Sequence, residues 1–151
     1  MAVLLGKHEF LGDKPLKLVF SLTGVEHSEA WEGWLLYELK LLNGDATITS
    51  HSGMTILRED VVNFCELLKS AEEGFFEPTE PNFQVYLRPK KSAKHYDELM
   101  IFLDEGIRRS AGYSGQGVGI RLSVDRISLV NFANEIEVRL NSLTNKILKQ
   151  E

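Results

Sequence analysis

The chain has 151 residues, of which 43% are hydrophobic, and a net charge of −5. This length fits one domain whose core needs no metal or disulfide, and the single cysteine, Cys65, excludes an internal disulfide. The acidic charge argues against nucleic acid as a partner, because nucleic-acid-binding domains usually carry a basic surface. No apolar run approaches the roughly 18–20 residues of a membrane span, and the short run from Ala2 lacks the basic lead of a signal peptide. We therefore expect one cytoplasmic domain over residues 1–151, with no membrane partner.

Period-two alternation predicts strands in the first third of the chain. One face of residues 16–22 and one face of residues 34–42 are apolar throughout, as in half-buried strands. The tripeptide Asn-Gly-Asp at residues 43–45 predicts a tight turn, because Asn and Gly accept positive φ at little cost. Residues 34–50 are therefore expected to form a hairpin, with Trp34 at the edge of the core.

A helical period replaces the alternation from residue 58. Apolar residues recur at i, i+3, i+4 and i+7 over residues 58–71, which predicts an amphipathic helix with Cys65 in its apolar stripe. Gly74 is the expected C-terminal stop of this helix.

Alternation then returns, and a second helix closes the chain. Three more strands are predicted, over residues 83–88, 99–104 and 118–124. The second amphipathic helix is expected from about Ser128, capped by either Asp125 or Ser128. The connections within each group of strands are too short for parallel crossovers. The sequence therefore predicts an α+β fold in the order strands, helix, strands, helix, with both helices on one face of a mostly antiparallel sheet and no internal repeat.

The glycine-rich segment from Gly112 to Gly119 is the most tempting ligand-binding motif. Such loops cradle phosphates because their bare backbone N–H groups can approach closely. Here the segment leads into a predicted strand, no lysine follows in the P-loop pattern, and the dinucleotide-binding spacing is not met. A connection between strands is the simpler interpretation. A small-ligand site that uses this segment with Tyr113 and the arginines at 108 and 109 stays open as an alternative.

Neither the histidines nor the cysteine form a pattern that indicates chemistry. The four histidines lie far apart in the sequence, without metal-ligand spacing, at His8, His27, His51 and His95. Cys65 falls in a helix stripe, where cysteine usually acts as a small hydrophobe rather than a nucleophile. We therefore predict no catalytic residue, no cofactor and no metal site.

Three residues are the best candidates for contact with a protein partner. Pro78 and Pro81 restrain the backbone around Glu77 and Glu80, so these glutamates form a stiff acidic segment that can face a basic partner. A rigid lead-in to the next strand, with Phe75 or Phe76 buried, explains the same residues structurally. Trp31 is the third candidate, because tryptophan is enriched in binding hot spots.

In this order, the features resemble the WapI-type immunity proteins, small bacterial proteins that neutralise the toxic C-terminal domain of a cell-contact toxin. The resemblance spans residues 16–140 and rests on three stretches: Trp-Leu-Leu-Tyr-Glu-Leu at 34–39, Arg-Glu-Asp-Val-Val-Asn-Phe at 58–64 and Phe-Glu-Pro-Thr-Glu-Pro at 76–81. It implies a cytoplasmic, non-enzymatic protein that binds and blocks a nuclease-type toxin, and it transfers no catalytic residues. The chain departs from the family pattern at residues 105–119 and at Arg58, which replaces a Ser/Thr-type cap.

The sequence thus favours an immunity protein that binds a basic toxin domain. One alternative is a structural or interaction protein of another system, including a homodimer built on an exposed sheet edge or aromatic patch. The other is the small-ligand-binding domain that uses the glycine-rich segment.

Overall fold

Two four-stranded antiparallel sheets, each followed by a helix, make up the part of the chain that the computed structural model describes, residues 1–6, 15–26, 33–89, 96–103 and 118–148. The first sheet has the order β1-β2-β3-β4 and the second the order β5-β6-β7-β8. The elements in chain order are β1 (Ala2–Leu5), β2 (Leu16–Val25), β3 (Trp34–Asn43), β4 (Ala46–Leu57), α1 (Arg58–Lys69), β5 (Gly74–Phe76), β6 (Phe83–Arg88), β7 (Asp97–Leu103), β8 (Val118–Val124) and α2 (Arg126–Leu148). The α+β class, the antiparallel pairing and the order of strands and helices are confirmed.

The strands form two sheets where the sequence predicted one. The four described strands before α1 form the first sheet and the four described strands after it form the second, each strand pairing with its neighbours in the order. The described part of the chain therefore repeats one topology, four antiparallel strands followed by a helix, although the sequence shows no repeat. Strand pairing depends on an alternating apolar pattern rather than on particular residues. Two antiparallel meanders can therefore have the same topology and dissimilar sequences.

Two short strands were not predicted from the sequence. β1 consists of the apolar run Ala2–Leu5, and β5 begins at Gly74, which was expected to stop the helix. The helix ends earlier, at Lys69, and the backbone turns at Ala71, whose φ is 61°. Strands of three or four residues are too short for a period of two to stand out.

The two halves share one hydrophobic core, in which five aromatic rings meet. The first sheet contributes Phe20 and Tyr37, α1 contributes Phe64, and the second sheet contributes Phe76 and Phe83. The ring of Phe83 lies 5.7 Å from Tyr37, 5.8 Å from Phe64 and 5.9 Å from Phe76, measured between centroids. Its distance to Phe20 is 6.4 Å. These separations are typical of interacting aromatic pairs, so Phe83 joins both sheets and α1.

The predicted hairpin is confirmed, and its second strand is longer than expected. Gly44, with φ of 61°, occupies the turn between β3 and β4. β4 continues to Leu57 with two irregularities in its register, one of which leaves Ile48 as an extra residue between paired neighbours. β4 is an end strand of its sheet, and bulges are a common means of protecting such an edge from pairing with another chain.

α2 begins two residues before the predicted start. The Asp125 carboxylate accepts a hydrogen bond from the Ser128 backbone N–H at 2.8 Å, so Asp125 is the cap. An ion pair between Lys69 and Glu137 joins the two helices. The predicted apolar stripe of α2 is buried at Leu129, Phe132, Ala133, Ile136, Leu140 and Leu143.

Gly119 is required where β7 and β8 pair. A β-carbon at this position would lie 2.7 Å from the carbonyl oxygen of Ile101 and closer still to the ring of Phe102. We expect Gly119→Ala to lower the free energy of unfolding by about 1–3 kcal/mol, as overpacking does elsewhere. Gly24→Ala is the matched control in β2, where a β-carbon meets nothing within 4 Å. Urea unfolding measures both variants, and equal midpoints would contradict the close approach at Gly119.

Candidate functional site

The acidic segment, residues 72–81, holds four glutamates and no basic residue. Two of them are the predicted partner-binding residues, and each accepts a side-chain hydrogen bond. The Thr55 hydroxyl donates to Glu80 Oε2 at 2.7 Å, and the Gln84 amide donates to Glu77 Oε2 at 3.0 Å. Glu80 is exposed and Glu77 is half-buried. The segment therefore presents carboxylates in fixed positions at the surface.

Hydrogen bonds from α1 and within the segment hold its backbone. The buried Asp60 carboxylate, in the first turn of α1, accepts a hydrogen bond from the Thr79 backbone N–H at 2.8 Å. The backbone N–H of Asn82 donates to the carbonyl of Glu80 at 2.8 Å, and Pro78 is buried. The stiffness that the prolines predicted thus has a second source, because Asp60 fixes the middle of the segment.

Removing the Asp60 carboxylate is expected to loosen the acidic segment. Asp60→Ala leaves the Thr79 N–H without this acceptor and should lower the free energy of unfolding by about 1–3 kcal/mol. Asp60→Asn keeps an acceptor oxygen and should recover most of that loss. Glu59→Ala, an exposed acid in the same turn, controls for the helix dipole. Hydrogen exchange at Thr79 is the local readout, and unchanged exchange in Asp60→Ala would contradict the anchoring role.

The outer face of the second sheet carries an open aromatic groove next to the acidic segment. Phe75, Tyr86 and Met100 lie directly opposite one another in neighbouring strands, so their side chains share this face. Gln84 and Phe102 form the next row on the same face. The groove has a volume of about 290 Å³ and is lined by Phe75, Gln84, Val85, Tyr86, Arg88, Met100 and Phe102. We call it the aromatic groove; Phe75 is 57% exposed within it.

Gly119 contributes to the shape of the aromatic groove. Phe102 pairs with Gly119, and its ring occupies the space that a side chain at 119 would need. An aromatic ring that covers a glycine in the neighbouring strand is a known stabilising arrangement in sheets. Phe102 thereby leans over β8, on the side away from Gln84, which pairs with it from β6.

Two glutamates of the acidic segment bond directly to residues that line the aromatic groove. The Tyr86 hydroxyl donates to Glu73 Oε1 at 2.7 Å, and this hydrogen bond raises the pKa of Tyr86. Glu77 accepts from Gln84, which is only 8% exposed. Farther along the same face, Arg121 forms an ion pair with Glu98 at 3.1 Å. The aromatic groove therefore combines apolar surface with carboxylates whose positions are set by hydrogen bonds.

The structure brings Glu77 together with Glu73 and the aromatic groove, whereas Glu80 points to Thr55 on β4 in the first sheet. Trp31 lies outside the described residues, as do three of the four histidines and positions 112–117 of the glycine-rich segment. The sequence interpretation missed the aromatic groove. Its one available signal was the pair Phe75-Phe76, of which only one can face the core; the buried residue is Phe76.

The other candidate residues that the structure describes form neither a reactive thiol nor a metal site. Cys65 is buried, its thiol lies 3.6 Å from the carbonyl oxygen of Ala133, and burial raises its pKa to about 12. Among the described histidines, cysteine and acids, no group of three or more is arranged to hold a metal ion.

Neither described helix has the length and apolar character that a membrane span requires.

Comparison with known protein families, with curated proteins and with solved structures finds no match to this chain. The similarity to the WapI-type immunity proteins therefore rests on the three sequence stretches alone.

Proposed function

We propose that this chain is a non-enzymatic binding protein that neutralises a basic, nuclease-type toxin domain, as WapI-type immunity proteins do. The observation that carries the proposal is the aromatic groove with Glu73 and Glu77 bonded to its lining. Exposed apolar surface with a polar rim is typical of protein-binding sites. The net charge of −5 supports a basic partner, because complementary charge speeds encounter and disfavours wrong partners.

The environment of Cys65 disfavours thiol chemistry. A cysteine nucleophile acts as the thiolate, which needs a lowered pKa and access to substrate. Cys65 has a raised pKa and a fully buried side chain. The cysteine is accordingly assigned to the core between α1 and α2.

Co-expression tests the proposal. The gene is placed in cells with a toxin domain encoded in a neighbouring reading frame, and survival is compared with an empty vector. The proposal expects survival when both proteins are made at matched levels. Cell death at matched expression would overturn it, and so would the absence of any toxin domain beside the gene.

A homodimer through the aromatic groove is the second candidate function, and the 57% exposure of Phe75 favours it. Sedimentation at increasing concentration separates the two candidates. A dimer that Phe75→Glu dissociates would favour self-association, whereas a monomer at all concentrations would favour the toxin-binding proposal.

A further inference from the structure

We infer that the aromatic groove receives one large apolar side chain of the toxin domain, and that lysines or arginines beside that side chain contact Glu73 and Glu77. This inference rests on the proposed function and names the surface and the chemistry of its occupant.

The size and composition of the aromatic groove suit a side chain. Its volume of about 290 Å³ lies at the lower end of the ~300–1,000 Å³ of typical ligand pockets and leaves room for one large side chain. Phe75, Met100 and Phe102 supply rings and a flexible thioether, a combination that packs well against an inserted aromatic or long aliphatic group. Burial of such an anchor usually provides most of the affinity in a protein interface.

Two hydrogen bonds at the aromatic groove are already formed before a partner binds. Glu73 holds the Tyr86 hydroxyl, and Glu77 holds the amide of Gln84. Side chains that are already positioned lose less conformational entropy when a partner binds. An ionised carboxylate can accept about four hydrogen bonds, so the internal bond of each glutamate does not by itself prevent a bond to a partner. A partner lysine or arginine can therefore bind each glutamate without breaking its internal bond.

The charge beside the aromatic groove favours a basic partner over a second copy of this chain. Residues 72–87 contain four glutamates and no lysine or arginine. Of the cations on the same face, Arg121 is already paired with Glu98, and Arg88 lines the aromatic groove beside Tyr86, so one arginine faces the four glutamates there. A two-fold dimer brings the same surface of both copies together, so two acidic segments would oppose each other. Like charges across an interface cost roughly several kcal/mol. A basic segment of another protein is instead attracted to the same carboxylates.

Dissociation constants of surface variants test the inference. Phe75→Ala and Met100→Ala remove apolar lining, and the double variant Glu73→Gln with Glu77→Gln removes the charges. The matched controls on α2 are Ile127→Ala, an exposed apolar residue, and Glu135→Gln, an exposed acid. Unfolding midpoints confirm that each variant is folded.

Two probes are used, the toxin domain from the neighbouring reading frame and a lysine-rich peptide with one central tryptophan. We expect Phe75→Ala to weaken binding of both at least about 10-fold, as loss of a hot-spot contact does. The double glutamine variant should weaken binding at low salt, and its difference from wild type should shrink as NaCl rises from about 0.05 to about 0.5 M. Both controls should bind like wild type.

The outcomes separate the inference from the proposed function. If wild type binds the toxin domain and the groove variants bind equally well, the inference is wrong and the proposed function stands. If wild type fails to bind the toxin domain, the proposed function is wrong. The inference about the toxin domain then falls with it, and the peptide tests the chemistry of the aromatic groove alone: equal affinity for an acidic peptide of the same length, or no effect of Phe75→Ala, would show that the groove does not select a basic partner with a large apolar side chain.

Discussion

Phe83→Ala is expected to lower the free energy of unfolding by about 3–5 kcal/mol, the range for a large aromatic residue removed from a packed core. Phe83 is fully buried and packs at steep angles against four other rings that belong to both sheets and to α1. Because a small domain is stable by only about 5–15 kcal/mol, this loss leaves a marginally folded chain.

The control is Phe75→Ala, which removes the same side chain from the outer face of the same sheet. Phe75 is 57% exposed, so its loss should change stability by less than about 1 kcal/mol. The fluorescence of Trp34 in β3, measured in a background with Trp31→Phe, reports on the first sheet, and far-ultraviolet circular dichroism reports on the whole chain. Both signals should show the same lowered unfolding midpoint in Phe83→Ala, because the ring of Phe83 joins the two sheets. A first sheet that unfolds at an unchanged midpoint would contradict a shared core.

Cys65 is expected to react with a thiol reagent at pH 8 at least about 1,000-fold more slowly in the folded protein than in the unfolded chain. Burial raises its pKa from the ordinary 9.0 to about 12, and this alone lowers the thiolate fraction at pH 8 about 1,000-fold. The closed packing around the thiol slows the reaction further. The chain has one cysteine, so the absorbance of the released thiol reports on this residue alone.

The control is a chain with Cys65→Ala and Asn134→Cys, which moves the thiol to an exposed position on α2 and should react at the unfolded rate. Phe83→Ala should speed labelling of Cys65, because a larger fraction of the molecules is transiently unfolded.

The raised pKa of Cys65 also makes stability depend on pH. The unfolded thiol ionises near 9.0 and the folded one near 12, so the stability that this group contributes below pH 9 is lost as pH rises through that window. Fast labelling of the folded wild type would contradict the buried position.

Long elements with clear periods could be predicted from the sequence. The alternation in β2 and β3, the turn at Gly44 and the apolar stripes of α1 and α2 each come from contacts within one element or between neighbours. The division into two sheets was not predictable in this way. It depends on β4 and β5 failing to pair across α1, which is a property of tertiary packing rather than of either strand.

Only part of the candidate site could be predicted from the sequence. Glu77 stood out because Pro78 follows it directly, and it does lie beside the aromatic groove. The alternation over residues 99–104 placed Met100 and Phe102 on one face with Asp104, but it did not show which residues of other strands lie on that face. Only the register with β6 places them on the face of Phe75 and Tyr86.

Titration of the toxin domain with this protein tests the central claim, binding without catalysis, most directly. The toxin is held well above the dissociation constant, and its nuclease activity is followed as the protein is added. We expect activity to fall in proportion to the added protein and to reach zero at one equivalent. Complete inactivation by a small fraction of an equivalent would mean that the chain acts as an enzyme on the toxin. Full activity at several equivalents would mean that it does not neutralise the toxin at all.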